Sequence, residues 1–329
     1  MLIDQLTELD PAVQNVLPPG TQLISIKNHG HSLWSFTFKV ETIGPGCKPA
    51  NYFLKYCLGF RGKLMVEGEF EGTKAIYAVS PDFCPRPIAA GKLSDPRFED
   101  TYFYICEFVE MTGETPPFDS WTFCSKVVNL HKNGKSPTGM YGFHITTCNG
   151  WVPQLNNWEE SWTTFFRKGF IHVFDMDRAN CLHPRPDGMD DHLDVFLNVV
   201  IPRLLLPLET GGNNIQPSLV HGDLWFGNTA TTAEGPIIFD GAVFYAHSEY
   251  ELGNWRPSWN INAHFRDCEV HFPKSQPEEE FDDRNRLYSM RFNLHASILF
   301  PDKPQHRQRV AEDMAYLVNK YGKEKVNYP

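Results

Sequence analysis

The spacing of apolar residues along the first third of the chain predicts a sheet with one helix. Apolar and polar side chains alternate through residues 21–57, as at Phe36 and Phe38, and turn-forming residues separate the alternating runs. This period of two is typical of short antiparallel strands. Residues 62–80 instead carry apolar or small side chains at helical spacing, and residues 85–111 contain two further strand-like runs. The predicted order is therefore strands, one helix, and strands again.

The pattern changes after a loop rich in turn formers at residues 112–119. Helical spacing then dominates, over residues 118–133, 156–178, 190–208, 284–300 and 308–322. One short strand is predicted among these helices, at residues 236–239. We therefore predict an α+β, two-lobed fold. Its N-terminal lobe, residues 1–108, holds an antiparallel sheet with one main helix, and its C-terminal lobe, residues 109–329, is mainly helical.

Charge and cysteine content narrow the functional classes. The formal net charge of −10 disfavours a broad nucleic-acid or anionic-membrane surface, so any phosphate site must be local. The chain begins without a secretory pattern and has no apolar run of membrane-spanning length, which predicts a cytoplasmic protein. Its eight cysteines include no Cys-x-x-Cys pair, so we expect reduced thiols and no zinc site. The sequence predicts no oligomeric state.

The stretch LVHGDLWFGN at residues 219–228 carries the most specific chemistry. Asp223 is followed five residues later by Asn228, and Asp240 ends the strand predicted next along the chain. This H-x-D-x-x-x-x-N pattern with a later aspartate is typical of kinase-like phosphotransferases. Asp223 would accept or orient the attacking hydroxyl, while Asn228 and Asp240 would hold Mg²⁺ on ATP through oxygen atoms. A purely structural turn would also use such residues, and we expect His221 to brace the loop.

The N-terminal lobe should supply a lysine for the ATP phosphates and a glutamate that holds it. Lys55 lies on a predicted strand with apolar neighbours, and Glu69 on the following helix is the partner that we predict. Glu67 and Glu71 are the alternatives, because a shift of two residues turns a helix to another face.

Two further segments are predicted to contact the nucleotide. The loop NHGHSLWS, residues 28–35, offers the backbone N–H groups of Gly30, His31 and Ser32 to phosphate, although it has one glycine where protein kinases have three. Glu107 and Val109 fall where the two lobes join, so their backbone would meet the edge of adenine.

Four stretches resemble the fructosamine kinases, also called ketosamine 3-kinases or protein-ribulosamine 3-kinases, which are relatives of aminoglycoside phosphotransferases. They are LVHGDLWFGN, PIIFDGAVFYAHSEYEL, MVEGEF after FLKY, and YGFHITTCNGWVPQLNNWEESWTTFF. The resemblance implies ATP-dependent phosphorylation of the sugar 3-hydroxyl of ketoamines, either small molecules or glycated proteins, which promotes deglycation. It also implies Asp223 as base, Asn228 and Asp240 as metal ligands, and Lys55 with Glu69 as the phosphate anchor.

Two departures from the family pattern lie at and after Asp240. Asp-Gly-Ala at 240–242 replaces a common Asp-Pro-Ala, and Glu-Leu-Gly-Asn at 251–254 replaces an acidic-Leu-Ala pattern. A ketoamine presents hydroxyls and a cationic amine, so its site needs acceptors and a carboxylate or an aromatic face. Trp225, Glu249 and Glu251 are the predicted substrate contacts, each also compatible with packing or capping.

Three other functions fit parts of the pattern. A kinase of another hydroxylated amine, aminoglycoside- or choline-like, would use the same core residues. A catalytically silent protein on a kinase fold would be compatible with the sparse phosphate loop. A conventional protein kinase is disfavoured, because Asp-Phe-Gly and Ala-Pro-Glu motifs are missing.

Overall fold

A five-stranded antiparallel sheet forms the first part of the computed structural model, which describes residues 6–30, 32–112, 119–256 and 272–324. The strand order is β1-β2-β3-β5-β4. The bounds are β1 Gln22–Asn28, β2 Phe36–Gly44, β3 Lys48–Leu58, β4 Pro87–Lys92 and β5 Thr101–Glu107. The alternating pattern of the sequence therefore predicted these strands correctly.

The two faces of this sheet bury different clusters, and the pleat decides which face each side chain takes. One face, with Leu54 and Tyr56 of β3, packs against the short N-terminal helix α1, Pro11–Val16. The other face packs against helix α2, Gly59–Val79, and buries Cys57 with it. Lys55 alternates with Leu54 and Tyr56, so its side chain lies on the α2 face.

The remainder of the described chain is mainly helical. The helices are α3 Ser120–Asn133, α4 Trp162–Ala179, α5 193–205 with a π-helical segment at Phe196–Val200, α6 Glu249–Leu252, α7 Phe281–Leu299 and α8 Gln305–Tyr321. Asp119 and Ser161 cap α3 and α4 by accepting hydrogen bonds from backbone N–H groups. The aromatic stripe at the start of α4 is core, because Trp162 is fully buried and donates from Nε1 to Tyr288 Oη at 2.9 Å.

Three two-stranded pieces hold the loops of the site. The pairs are β6 Cys148–Asn149 with β7 Val152–Pro153, β8 Ser218–Val220 with β11 Phe244–Ala246, and β9 Thr229–Thr232 with β10 Gly235–Ile238. The segment carrying His221 and Asp223 follows β8, and Asp240 follows β10. The predicted strand at 236–239 is confirmed; the other short strands were not predicted.

The α+β arrangement is thus confirmed, whereas the boundary between residues 108 and 109 stays a prediction. Among the cysteines of the described residues, Cys124 of α3 departs from the expected state, because it is disulfide-bonded. Six others are free thiols: Cys47, Cys57, Cys84, Cys106, Cys148 and Cys181. Across the four described segments, no helix combines the length and apolarity needed to cross a bilayer.

Candidate active site

Three charged side chains from distant segments meet beside the sheet. The Lys55 ammonium lies 2.8 Å from both carboxylate oxygens of Glu69 and 2.7 Å from Asp240 Oδ1. Glu69 is thus the helix partner, as predicted. The alternatives lie elsewhere, since Glu67 approaches Lys63 on the surface and Glu71 contacts His144 and Lys74.

Burial and charge set the protonation of this cluster. Burial opposes the charged form of Lys55, but Asp240 and Glu69 outweigh it and raise the pKa of the ammonium. Burial raises the pKa of Glu69 above its ordinary value, and Lys55 offsets only part of that rise. Partial desolvation by the surrounding protein would also raise the pKa of Asp240, whose side chain is 47% exposed, but Lys55 outweighs it and holds that pKa low. Asp240 therefore stays an anion beside a fixed cation.

Asp223 lies in a cradle of amide donors. Asn228 Nδ2 donates to Asp223 Oδ2 at 3.1 Å, and Asn254 Nδ2 donates to Oδ1 at 3.2 Å. Burial raises the pKa of Asp223 to about 7, and these two amides, together with the nearby Asn149 of β6, work against that rise. The donors hold the carboxylate in one place and favour its ionised form.

Asn228 connects Asp223 to Asp240. Its amide nitrogen donates to the backbone oxygen of Asp223 at 2.9 Å and lies 3.4 Å from the backbone oxygen of Asp240. With the nitrogen occupied on the Asp223 side, the amide oxygen is the atom left for a ligand. Asp240 has φ 56°, a sparsely populated conformation for a residue other than glycine. The backbone that positions this carboxylate is therefore strained.

Glu251 and His221 fix the backbone of the Asp223 loop. The Glu251 carboxylate accepts hydrogen bonds from the N–H groups of His221 and Gly222, at 2.5 and 3.0 Å. His221 Nε2 faces the backbone oxygen of Phe239 at 2.9 Å, and its Nδ1 faces the Asp223 N–H at 3.3 Å. Burial lowers the pKa of His221. A neutral ring that donates from Nε2 braces the loop, which is the role predicted for it.

Glycine is required at position 222. Its φ of 76° lies in the left-handed region, and a Cβ there would meet the backbone oxygen of Ala242 at 2.2 Å. The loop carrying Asp223 can therefore pack directly on the chain that follows Asp240.

The predicted phosphate loop joins β1 to β2. Gly30 has φ 73°, and Ser32 Oγ accepts from the N–H groups of Trp34 and Ser35. Ser32 thus shapes the loop with its side chain, and the predicted contacts of Gly30 and Ser32 with phosphate stay predictions. His31 lies outside the described residues.

Glu107 and Val109 lie at the end of β5, where the chain leaves the sheet. The N–H of Phe108 between them is bonded to Asn51 O at 3.0 Å, and that of Glu107 to Arg86 O at 2.9 Å. Backbone groups of successive residues in a strand point to alternate sides, so the carbonyl of Glu107 and the N–H of Val109 point away from Asn51. Their predicted contact with adenine is compatible with this geometry and stays a prediction.

The structure corrects two of the three predicted substrate contacts. Glu249 is buried, and its carboxylate accepts from Arg284 Nε at 2.8 Å and from Ser275 N–H at 2.7 Å. Glu251 is fully buried and occupied by the backbone of the Asp223 loop. Both carboxylates lie on helix α6, which packs against α7, and both are hydrogen-bonded inside the protein. Neither is therefore open to a substrate. Trp225 is 43% exposed beside Asp223 and can meet a ligand.

A family model now adds to this geometry. The model described as fructosamine kinase matches residues 46–318. The chain belongs to the fructosamine kinase family.

Relatives and solved structures agree with that membership. The chain is 29% identical to the chloroplastic protein-ribulosamine 3-kinase of Oryza sativa subsp. indica over 79% of its own length and 74% of the relative's. It is 42% identical to the ketosamine-3-kinase of Mus musculus over 34% of each chain, so that match spans about a third of the relative.

Two solved structures share the fold of this fructosamine kinase family member. A protein of Thermobifida fusca YX-ER1, assigned as a fructosamine-3-kinase, superposes with TM-score 0.70 and 18% identity, over 95% of this chain and 100% of the other. A second protein with the same assignment, from Haemophilus somnus 129PT, gives TM-score 0.71 and 14% identity over 90% and 92%. The predicted kinase-like fold is thus confirmed, and membership of the family makes the protein an ATP-dependent phosphotransferase.

Sequence reasoning missed two residues of the site in this family member. Asn254 donates to Asp223 and Asn149 helps to lower the pKa of the same carboxylate, but neither lies within the motif at 219–228. The signals in the sequence were indirect: Asn149 lies in the stretch at 141–166 that resembles the family, and Asn254 ends the segment 251–254 that departs from the family pattern.

Proposed function

We propose that this protein transfers the γ-phosphoryl group of ATP to the sugar 3-hydroxyl of a ketoamine. The observation that carries the proposal is the line of groups from Asp223 through Asn228 to Asp240 and Lys55, connected by the hydrogen bonds described above. Phosphoryl transfer needs a positioned hydroxyl at one end of such a line and neutralised phosphates at the other.

Asp223 would receive the acceptor hydroxyl. Its carboxylate is held by side-chain amides and retains acceptor capacity, since each oxygen has a second lone pair. Its pKa of about 7, which follows from burial, allows it to accept a hydrogen bond and a late proton near neutral pH. The loose transition state of phosphoryl transfer asks mainly for orientation of the hydroxyl.

The opposite end of the site suits the nucleotide. Lys55, fixed by Glu69, would bind phosphate oxygens, and the backbone of the β1–β2 loop would cover them. The Asp240 carboxylate is 47% exposed at the side chain, and with the Asn228 amide oxygen it forms a hard-oxygen donor pair that fits Mg²⁺. A bound Mg²⁺ would neutralise charge on the phosphates.

The acceptor would lie against Trp225. A ketoamine carries a protonated amine, which an exposed indole face can attract, and a sugar, whose apolar C–H surface can pack on the ring. The names of the relatives, a ketosamine-3-kinase and a protein-ribulosamine 3-kinase, support this substrate class. Phosphorylation at the 3-position would give an unstable ketoamine 3-phosphate, so the free amine is regenerated.

A substrate panel tests the proposal. Ribulosyl-lysine, fructosyl-lysine, a glycated protein, choline and an aminoglycoside are compared by kcat/KM with Mg-ATP. We expect the ketoamines to exceed the other amines by at least about a hundredfold, since a site that hydrogen-bonds substrate hydroxyls at fixed positions rejects compounds that present no hydroxyl at those positions. Turnover of choline or the aminoglycoside without turnover of any ketoamine would refute it.

A further inference from the structure

The four residues after Leu252, Gly-Asn-Trp-Arg at 253–256, form a bracket between helix α7 and the Asp223 loop. On the α7 side, a Cβ at Gly253 would meet Tyr288 Cβ at 2.7 Å and Ser289 N at 2.9 Å, so only glycine lets the segment lie this close. Arg256 donates from Nη1 and Nη2 to both carboxylate oxygens of Asp282, at 2.7 and 3.0 Å. The segment is thus fixed to a helix at both of its ends.

On its other side the bracket contacts the Asp223 loop twice. Trp255 Nε1 donates to the backbone oxygen of Leu224 at 2.6 Å, and Asn254 Nδ2 donates to Asp223 Oδ1 at 3.2 Å. Asn228 donates to the other carboxylate oxygen. The two oxygens of Asp223 therefore each receive an amide donor, one from inside the motif and one from the bracket.

A carboxylate with a donor on one oxygen only can rotate about its terminal bond, whereas donors on both oxygens fix its plane. The donor from Asn254 is backed by Gly253 and Arg256, which hold its backbone against α7. We infer that Asn254 is a positioning residue that holds the plane of the Asp223 carboxylate toward the acceptor hydroxyl. This inference rests on the role of Asp223 in the proposed function.

Asn254 lies in the segment where this chain departs from the acidic-Leu-Ala pattern of its family. Asn254 places an amide donor directly on the carboxylate that receives the acceptor. Asn149, from β6, also lies near this carboxylate. Loss of Asn254 should therefore let the Asp223 carboxylate rotate more freely, while other amides remain close to it.

The test compares Asn254→Ala, Asn254→Asp and Asn254→Ser with wild type. Asn254→Ala should lower kcat about tenfold to a hundredfold, the usual cost of a small misplacement of a reacting group. KM for Mg-ATP and the melting temperature should stay close to wild type. Asn254→Asp, which replaces the donor by a like charge, should lower kcat further, and Asn254→Ser, which keeps a donor, should lose less. The matched control is Asn180→Ala, whose amide caps α4 at Met176 O, and its kcat should be unchanged.

A rise in acceptor KM at unchanged kcat would show that Asn254 binds substrate instead, and an unchanged kcat would refute the inference. Crystal structures of wild type and Asn254→Ala give a second readout that needs no acceptor. We expect one orientation of the Asp223 carboxylate in wild type and rotation or two orientations in the variant; one identical orientation in both would overturn the inference. If wild type phosphorylates no ketoamine, the proposed function fails, while kcat on the acceptor that it does use and the two crystal structures still decide the role of Asn254.

Discussion

Two clusters of acidic and basic side chains in this protein use similar contacts for different ends. In the cluster next to the sheet, Lys55 lies 2.7 Å from Asp240, whose side chain is 47% exposed. In the cluster below α6, Arg284 lies 2.8 Å from Glu249, and both side chains are at most 2% exposed. The first cluster is open to a ligand, and the second is closed.

The difference lies in what each group has left to bond. Arg284 donates to Glu249 and to the backbone oxygens of Ser275 and Pro277, while Glu249 also accepts from the Ser275 N–H. Every strong donor and acceptor there is matched within the fold. Asp240 instead presents exposed oxygen in a strained conformation. Remaining capacity for a ligand, more than charge or proximity, distinguishes the site from the scaffold.

The largest expected effect is on the open side, at Asp223. Asp223→Ala should lower kcat by about 10²- to 10⁴-fold, the range for loss of a positioned acid-base group, and should leave nucleotide affinity near wild type. Initial rates and nucleotide titration by calorimetry measure the two quantities. The control is Asp187→Ala at an exposed loop aspartate. Equal losses of rate and nucleotide affinity would contradict the assignment.

The closed cluster should respond in stability. Glu249→Gln leaves Arg284 buried without its anion, which should cost about 3–5 kcal/mol of unfolding free energy. Urea unfolding measures this cost, and kcat per folded molecule should change little. If Glu249→Gln instead unfolds with the free energy of the wild type but has a raised KM for the acceptor, Glu249 is a substrate contact. The contrast between the two clusters would then be wrong.

Lys55→Met probes the open cluster at its nucleotide end. Loss of a charged hydrogen-bond donor to phosphate should raise KM for Mg-ATP about 10- to 100-fold, as expected from 1.5–3 kcal/mol for such a bond. Lys63→Met is the matched control, because Lys63 pairs with Glu67 on the surface of α2. If both variants shift KM equally, Lys55 is not a phosphate anchor.

Acid should weaken the closed region through His247, a neighbour of Glu249. Burial lowers the pKa of His247 to about 4, although Glu249 opposes this. The unfolded chain takes up the proton near pH 6.5 and the folded chain only near pH 4, so stability falls as pH falls through that window. Between pH 7 and pH 5 the loss from His247 should be about 2 kcal/mol. Urea unfolding at both values should show a smaller loss in His247→Asn, and an equal loss in both proteins would contradict this.

Sequence reasoning recovered the groups whose relation is local or periodic. The pleat of β3 and one helix face selected Lys55 and Glu69, and a fixed spacing selected Asp223 and Asn228. It did not recover Asn254, whose contact with Asp223 depends on Gly253 fitting against α7. It also misassigned Glu249, because the sequence shows a carboxylate but not the arginine that packing places on it. The other strands of two to four residues, unlike the predicted β10, are too short to show a period.

Transfer of the phosphoryl group from ATP to a ketoamine can be observed directly by ³¹P NMR. Wild-type protein, Mg-ATP and ribulosyl-lysine are monitored by ³¹P NMR, with the position of the new phosphate assigned by its coupling to sugar protons. We predict a new phosphomonoester at the 3-position that grows as ATP declines and is absent with Asp223→Ala. Absence of transfer to any ketoamine by the wild type, or wild-type transfer by Asp223→Ala, would contradict it.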